Sequence, residues 1–167
     1  FSAFRGTQEA IEYYKELRAE VEERLREGRG PVIPDGELTE EKYRVVVEGP
    51  PNWTSFREFW KMFTDEGAVV VASTYTKVGG VYDFGFRHDA ARPLETLAEY
   101  CMGCYTNLNL PTRVQMLSRY VEEYGADGFL INSVKSCNSF SAGQLHLLRE
   151  VEARSGKPGG FIESDLV

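Results

Sequence analysis

The sequence lacks the features that mark several large function classes. No apolar run approaches the ~20 residues of a membrane-spanning helix, and no succession of basic, apolar and small-residue segments marks a signal peptide. The chain is therefore read as cytoplasmic, with no membrane partner. Lys and Arg number 19 against 26 Asp and Glu, giving a formal net charge of -7. No Lys/Arg cluster breaks that acidic balance, so a nucleic-acid surface, which needs a basic stripe to displace counterions, is excluded. Neither GxxxxGK[ST] nor GxGxxG occurs, so bound ATP or NAD is not expected. A serine elbow is absent too, and there is no internal repeat or low-complexity segment. Histidine and cysteine are scarce, at two and three residues, and an odd cysteine count in such a chain does not suggest a disulfide framework.

What is present is an ordinary globular composition, 42% hydrophobic over 167 residues, enough for one well-packed domain. The first residue is Phe1 rather than Met, and the last strand-like run ends almost at the terminus. The chain is thus expected to be a fragment of a longer polypeptide, with any site shared with the missing part only half visible. From Thr7 to Glu27, Ile11, Tyr14, Leu17, Val21 and Leu25 recur at helical steps before Gly28. Arg29 to Glu41 reads as an aperiodic loop. A boundary falls there, dividing a helix and linker (1–41) from an α/β domain (42–167).

In that domain Tyr43–Glu48 reads as a β-branched strand, and Ser55 with Glu58 as a capping box. Phe56, Phe59, Trp60 and Phe63 then form an aromatic stripe assigned to the core, and Ala68–Ala72 reads as the next strand. A long Gly- and aromatic-rich connection follows Ser73, of a length that is usually functional or mobile. Pro93 and Pro111 open two further helices, the second carrying Val114, Leu117, Val121 and Tyr124. Phe129–Ile131 is a short apolar run suited to a buried parallel strand. Ser141 and Gln144 read as a second capping box, for a helix from about Ala142 to Ser155 bearing Leu145, Leu148, Val151 and Glu152, and Phe161–Glu163 is the last strand. This order predicts a Rossmann-like three-layer α/β sandwich, with a short, mainly parallel sheet of about four strands and helices on both faces.

Cys137 lies in the loop between the apolar strand and the last helix, at the carboxyl end of a strand, where open α/β sheets bind ligands. A thiol there can be a metal ligand, a nucleophile or a small apolar filler. The same strand-end rule places Gly49, Pro50, Trp53, Tyr75 and Ser136 near the site. Cys101 and Cys104 form a CxxC, which alone could be half of a zinc site, a redox dithiol, two iron–sulfur ligands, or structural thiols beside a helix turn. A structural zinc wants four ligands, and only His88 and His146 could be added to the cysteines. A redox dithiol wants its first cysteine at a helix start, whereas Cys101 falls near a predicted helix end. Each histidine also reads as an ordinary loop or surface residue. Of the carboxylates, Glu163 and Asp165 at a strand end are the best placed for acid–base work, or are simply cap or surface groups.

Taken in order, Glu41-Lys-Tyr-Arg-Val-Val-Val-Glu-Gly-Pro-Pro-Asn-Trp53, Gly67-Ala-Val-Val-Val-Ala-Ser-Thr-Tyr-Thr76, Gly125-Ala-Asp-Gly-Phe-Leu-Ile-Asn132, Ser136-Cys137, Gly143-Gln144 and Phe161-Ile-Glu-Ser-Asp165 resemble the benzoyl-CoA reductase / 2-hydroxyacyl-CoA dehydratase family, in particular its B-type cluster-carrying subunits. The resemblance covers nearly all of the chain after the first helix. It implies an iron–sulfur radical enzyme component of anaerobic metabolism. Such a component holds a 4Fe-4S cluster through cysteine thiolates and receives low-potential electrons from a separate ATP-dependent activator protein. Those electrons pass to an acyl-CoA thioester, leading to ring reduction or to dehydration. Partners implied are a paralogous or identical cluster-carrying subunit and the activator, and this chain alone is expected to be inactive.

The resemblance makes Cys137 the cluster ligand, with Ser136 beside it, and gives Cys101 and Cys104 no clear role. Counting thiols would instead assign all three to one cluster. We favour Cys137 alone, with the other ligands coming from outside this chain, which makes residues 42–167 a cluster-binding domain. Two alternatives remain at this level: a double-cubane-type reductase, and a non-catalytic α/β scaffold module in which Cys137 is merely buried.

Overall fold

The computed structural model describes residues 6–33, 36–38, 40–76 and 80–165. Both chain ends, and residues 77–79 of the long connection after Ser73, lie outside the described residues. The chain forms two compact units, Phe1–Glu41 and Lys42–Val167. In the first, helix α1 (Gln8–Glu27) starts at Thr7, whose hydroxyl accepts the Ala10 N–H, and is closed by Gly28. Within this unit its apolar stripe stays exposed. The stretch read as an aperiodic loop contains a small antiparallel hairpin, β1 (Val32–Ile33) with β2 (Gly36–Glu37). Two-residue strands are too short to produce a readable alternation. Arg24 ties helix to hairpin, donating to Gly30 O at 3.2 Å and to Glu37 at 2.8 Å.

The second unit is a four-stranded sheet in the order β4-β3-β5-β6, made by β3 (Tyr43–Glu48), β4 (Ala68–Ser73), β5 (Gly128–Val134) and β6 (Gly159–Ser164). Every pairing in it is parallel. The helices are α2 (Phe56–Asp65), α3 (Pro93–Met102), α4 (Leu110–Glu123) and α5 (Gln144–Ser155). Right-handed crossovers, the sense such connections take, put α2 on one face and α4 with α5 on the other. This is the three-layer α/β sandwich the element order predicts.

The core lies between the sheet and α4/α5, where Val46, Phe129, Ile131, Leu117, Tyr120, Leu147 and Val151 are all at most 3% exposed. Each such side chain contributes about 1.5–3 kcal/mol by leaving water. Two details of the periodicity differ from expectation. In α5 the buried residues are Gln144, Leu147 and Val151, whereas Leu145 is 55% exposed. Along the α2 stripe only Phe59 is fully buried, and Phe56 stays 43% exposed.

Both expected capping boxes are also corrected. Ser55 is the N-cap of α2, but at φ -127 and ψ 49 its hydroxyl makes no cap hydrogen bond. For α5 the N-cap is Gly143, so Gln144 is the first helical residue rather than the third and cannot reach back.

Gln144 turns inward instead. Its Nε2 donates to Glu48 Oε2 at 2.8 Å, and Arg113 Nη2 donates both to Glu48 Oε1 at 2.8 Å and to Gln144 Oε1 at 3.2 Å. The three residues, at most 5% exposed, close a ring of hydrogen bonds joining the end of β3 to α4 and to the start of α5. Arg113 also stands 4.8 Å from the centre of the buried Tyr105 ring, a cation–π contact. Burial raises the Glu48 carboxyl above its ordinary 4.5, against the opposing pull of the Arg113 charge and the hydrogen bonds. Burial likewise lifts the Tyr105 phenol well above 10, with the Glu48 charge adding to the rise.

A raised Glu48 value means the folded chain holds that proton more tightly than the unfolded chain. The group's contribution to stability is therefore fully present below about pH 4.5 and is lost as the pH rises through the folded value. The unfolding free energy of the native chain relative to Glu48→Gln, measured in urea at a series of pH values, is expected to fall over that rise. Arg113→Met, which strips the carboxylate of its cation, should cost about 3–5 kcal/mol at neutral pH. A second prediction concerns backbone fit. Gly49 has φ +93, and a Cβ there would collide with the carbonyl oxygen of Asn132 on β5, while Gly125, at φ +56, faces open space. Gly125→Ala should cost about 1–2 kcal/mol, and Gly49→Ala distinctly more because the obstacle is backbone; paired denaturation curves check the order.

Candidate functional site

The connection from β3 runs to one side of the sheet and the connection from β5 to the other, although the two strands are neighbours. Their carboxyl ends therefore form the switch point at which open parallel sheets bind ligands. The strand ends here are tied together by hydrogen bonds. Asn132 on β5, fully buried, donates Nδ2 to Pro50 O at 2.6 Å and accepts the Ser164 hydroxyl of β6 on Oδ1 at 2.8 Å. Gly49 N donates to Thr74 Oγ1 at 3.3 Å, and Thr74 N to Val47 O at 3.1 Å. The ends of all four strands thus share one polar lattice, with Gly49 and Pro50 buried in it.

An unbroken series of rings crosses the same edge. Trp53, half exposed, stacks on Phe56 at 5.5 Å and meets Tyr75 edge-on at 6.0 Å. Tyr75 lies 6.2 Å from Phe140, which stacks on the buried Tyr105 at 6.3 Å. The Tyr105 hydroxyl lies at the inner end of the series, outside strict hydrogen-bond geometry but interacting with Glu48 and Arg113.

Cys137 follows β5 in a tight turn. Its N–H donates to Val134 O at 3.0 Å, and its carbonyl accepts the Phe140 N–H at 3.0 Å, closing the 3-10 turn Asn138–Phe140. The thiol is free and partly buried, packed against the core, while Ser136 before it is exposed. Cys101 is exposed at the end of α3, and Cys104 is partly buried with its sulfur 3.6 Å from Tyr100 O. The 3-10 turn just after Cys104, Tyr105–Asn107, packs against the turn just after Cys137, a convergence the sequence did not indicate.

Among the described residues no three His, Cys, Asp or Glu side chains gather into a set that could hold a metal ion. What the edge offers is a soft sulfur donor, Cys137, in a fixed turn. Cys137 has the chemistry to serve as a thiolate ligand to an iron–sulfur group, and the described residues bring no three-member ligand set together around it.

The other titratable candidates are spread over the unit, Glu163 and Asp165 at the carboxyl end of β6. His88 shares a hydrogen bond with the Tyr82 hydroxyl at 2.8 Å inside an aromatic cluster with Phe86 and Tyr100. His146 is exposed on α5, Glu163 pairs with Lys135 at 3.6 Å on the surface, and Asp165 is exposed. The sequence reading missed Arg113, Tyr105 and Asn132, and gave Glu48 and Gln144 only secondary-structure roles. One signal was available. Arg113 sits on the apolar stripe of α4, four residues before Leu117, and Glu48 closes a run of three valines; opposite charges on two buried faces need each other.

All 167 residues match the family model described as 2-hydroxyglutaryl-CoA dehydratase, D-component. The chain is 71% identical over its whole length to the B subunit of benzoyl-CoA reductase from Thauera aromatica, of which it covers 39%. It is 27% identical to the (R)-phenyllactyl-CoA dehydratase alpha subunit of Clostridium sporogenes, with 96% of this chain and 36% of that protein aligned. For the (R)-2-hydroxyisocaproyl-CoA dehydratase alpha subunit of Clostridioides difficile the identity is 24%, over 96% of this chain and 37% of that protein. The chain spans less than two-fifths of the length of these relatives. With the family model matched from end to end, the chain belongs to the benzoyl-CoA reductase / 2-hydroxyacyl-CoA dehydratase family.

Proposed function

We propose that this chain is the part of a benzoyl-CoA reductase-type subunit that supplies one thiolate, Cys137, to an iron–sulfur cluster and walls an acyl-CoA site along the carboxyl edge of the sheet. The observation that carries the reading is the 71% identity, over the whole of this chain and 39% of the relative, to a protein named as the B subunit of a benzoyl-CoA reductase. The same comparison favours ring reduction over dehydration, since the relatives named dehydratases are at 27% and 24%. Such a cluster supplies low-potential electrons to the thioester substrate, and an ATP-dependent activator with a second cluster-carrying subunit completes the assembly.

The chain's own residues have definable tasks in this scheme. Cys137 offers its sulfur from a turn whose backbone is fixed at both ends. Trp53 and Tyr75 present flat apolar surface on which an aromatic acyl group can lie, with ring contacts of the kind worth about 0.5–1.5 kcal/mol beyond area burial. Buried Gly49, without a side chain, keeps the first turn after β3 close to the β5 backbone. Pro50 holds its carbonyl on Asn132, so the floor of the site does not shift when substrate arrives.

The test uses the full-length subunit with its partner, prepared anaerobically. Cys137→Ser is expected to lower iron content, abolish or strongly reduce the cluster's electron paramagnetic resonance signal, and abolish activator-dependent reduction of the acyl-CoA. An unchanged signal and unchanged iron would remove the reading. Alkylation separates it from a scaffold role: Cys137 should label readily in apoprotein and resist labelling once the cluster is loaded, whereas a purely structural thiol would label equally in both.

A further inference from the structure

We propose that Glu48, Arg113 and Gln144 are positioning residues that set the backbone of the Cys137 turn and thereby aim its thiol. The proposal rests on the reading of Cys137 as a cluster ligand, and it concerns three buried residues that reach the Cys137 turn through the carbonyl of Phe140.

The connection is continuous and short. Gln144 Nε2 divides its two hydrogens between Glu48 Oε2 at 2.8 Å and the carbonyl of Phe140 at 3.2 Å. Phe140 N in turn donates to the carbonyl of Cys137 at 3.0 Å, and Cys137 N to Val134 O at 3.0 Å. The turn is therefore anchored at one end by the last residue of β5 and at the other by the triad. Arg113 fixes Gln144 so that only this orientation works: one guanidinium nitrogen donates to both the Glu48 carboxylate and the Gln144 amide oxygen. The amide oxygen is thus committed to Arg113, which turns the NH2 group towards Glu48 and Phe140. Phe140, 5% exposed and stacked on Tyr105, holds the turn from the side.

Two observations set this group apart from ordinary core polarity. A buried ion pair is seldom worth more than well-packed apolar residues of the same volume, yet this one sits at the β3 end of the switch point. Gln144, the first residue of α5, also directs its amide hydrogens to Glu48 and to the carbonyl of Phe140 rather than to water. A side chain at a helix start, where exposure is usual, is here 1% exposed and bonded towards the Cys137 turn.

The experiment uses the full-length, partner-bound, cluster-loaded enzyme and the variant Gln144→Met, which keeps side-chain volume and leaves the Glu48–Arg113 pair intact. The expected result is native iron content, kcat lowered about tenfold, as for other residues that orient a metal ligand, and an unchanged KM for the acyl-CoA. The resonance line shape of the reduced cluster should change, and the amides of residues 137–142 should exchange faster in apoprotein. Arg113→Lys, which keeps the cation but loses the fork, should move the same readings, and it decides the matter should Gln144→Met fail to accumulate. A folded variant with native line shape and native exchange in this turn overturns the proposal. If Cys137→Ser leaves the cluster signal intact, the ligand reading fails instead, and exchange in the turn still reports on the positioning claim alone.

Discussion

The buried triad of Glu48, Arg113 and Gln144 is the constraint that the rest of the second unit is built around. A carboxyl group, which burial makes hold its proton more tightly, and a guanidinium have been taken out of water, where each was well solvated. The desolvation cost is met only if the geometry holds and the remaining donors and acceptors are filled. Both carboxyl oxygens of Glu48 are hydrogen-bonded and so is the Gln144 oxygen, Arg113 Nε being the donor of this group left outside hydrogen-bond geometry. Because the partners come from β3, α4 and α5, satisfying this one group fixes the separation of the sheet from the helical layer. It also fixes the rotation of both helices about their axes. Apolar packing alone tolerates small slips of a helix along a sheet; a buried carboxylate does not, since a slip large enough to break its hydrogen bonds would leave a charge without its partner.

From this fixed end of β3 the ordering spreads across the carboxyl edge by backbone-directed bonds. Asn132 holds the loops on both sides of β5, and Thr74 exchanges bonds with the chain around the end of β3. The left-handed Gly49 lets the first loop pass so close to the β5 backbone that no side chain fits. Each tie is modest, about 0.5–1.5 kcal/mol net, but together they make the loops part of the scaffold. Residues standing on such an edge keep their positions without a ligand present, which is what a site must do to bind at low reorganisation cost.

Much of the fold was legible because it follows from period and punctuation. The strand Tyr43–Glu48 was readable to the residue, and the helix from Pro111 and the parallel sheet followed from apolar spacing and turn residues. The hairpin at Val32–Glu37 was not, since two residues per strand carry no period. The capping boxes failed for a related reason. The pattern Ser-x-x-Gln is satisfied by sequence, while the cap depends on where the helix begins, and Gly143 moved that start two residues on. At the site, Cys137, Gly49, Pro50, Trp53 and Tyr75 could be assigned to the sheet's carboxyl edge because strand ends can be read locally. The triad could not, because Glu48 and Arg113 stand 65 positions apart in the chain and only the packed structure brings them together.

On the reading of Cys137 as a cluster ligand, the rigidity around its turn acquires a purpose. Where several ligands from one loop surround a metal, chelation itself orients each donor, and the protein need only keep the loop closed. Here no three ligating side chains gather among the described residues, so on the reading of Cys137 as a ligand its direction cannot come from neighbours on the same cluster before the cluster is bound. It has to come from the fold. A turn pinned between the end of β5 and a charge-locked glutamine, and flanked by the stacked rings of Phe140 and Tyr105, supplies that direction in advance. On that proposed reading, a buried pair worth little more than an apolar substitute finds its role in the accuracy it imposes on this sulfur.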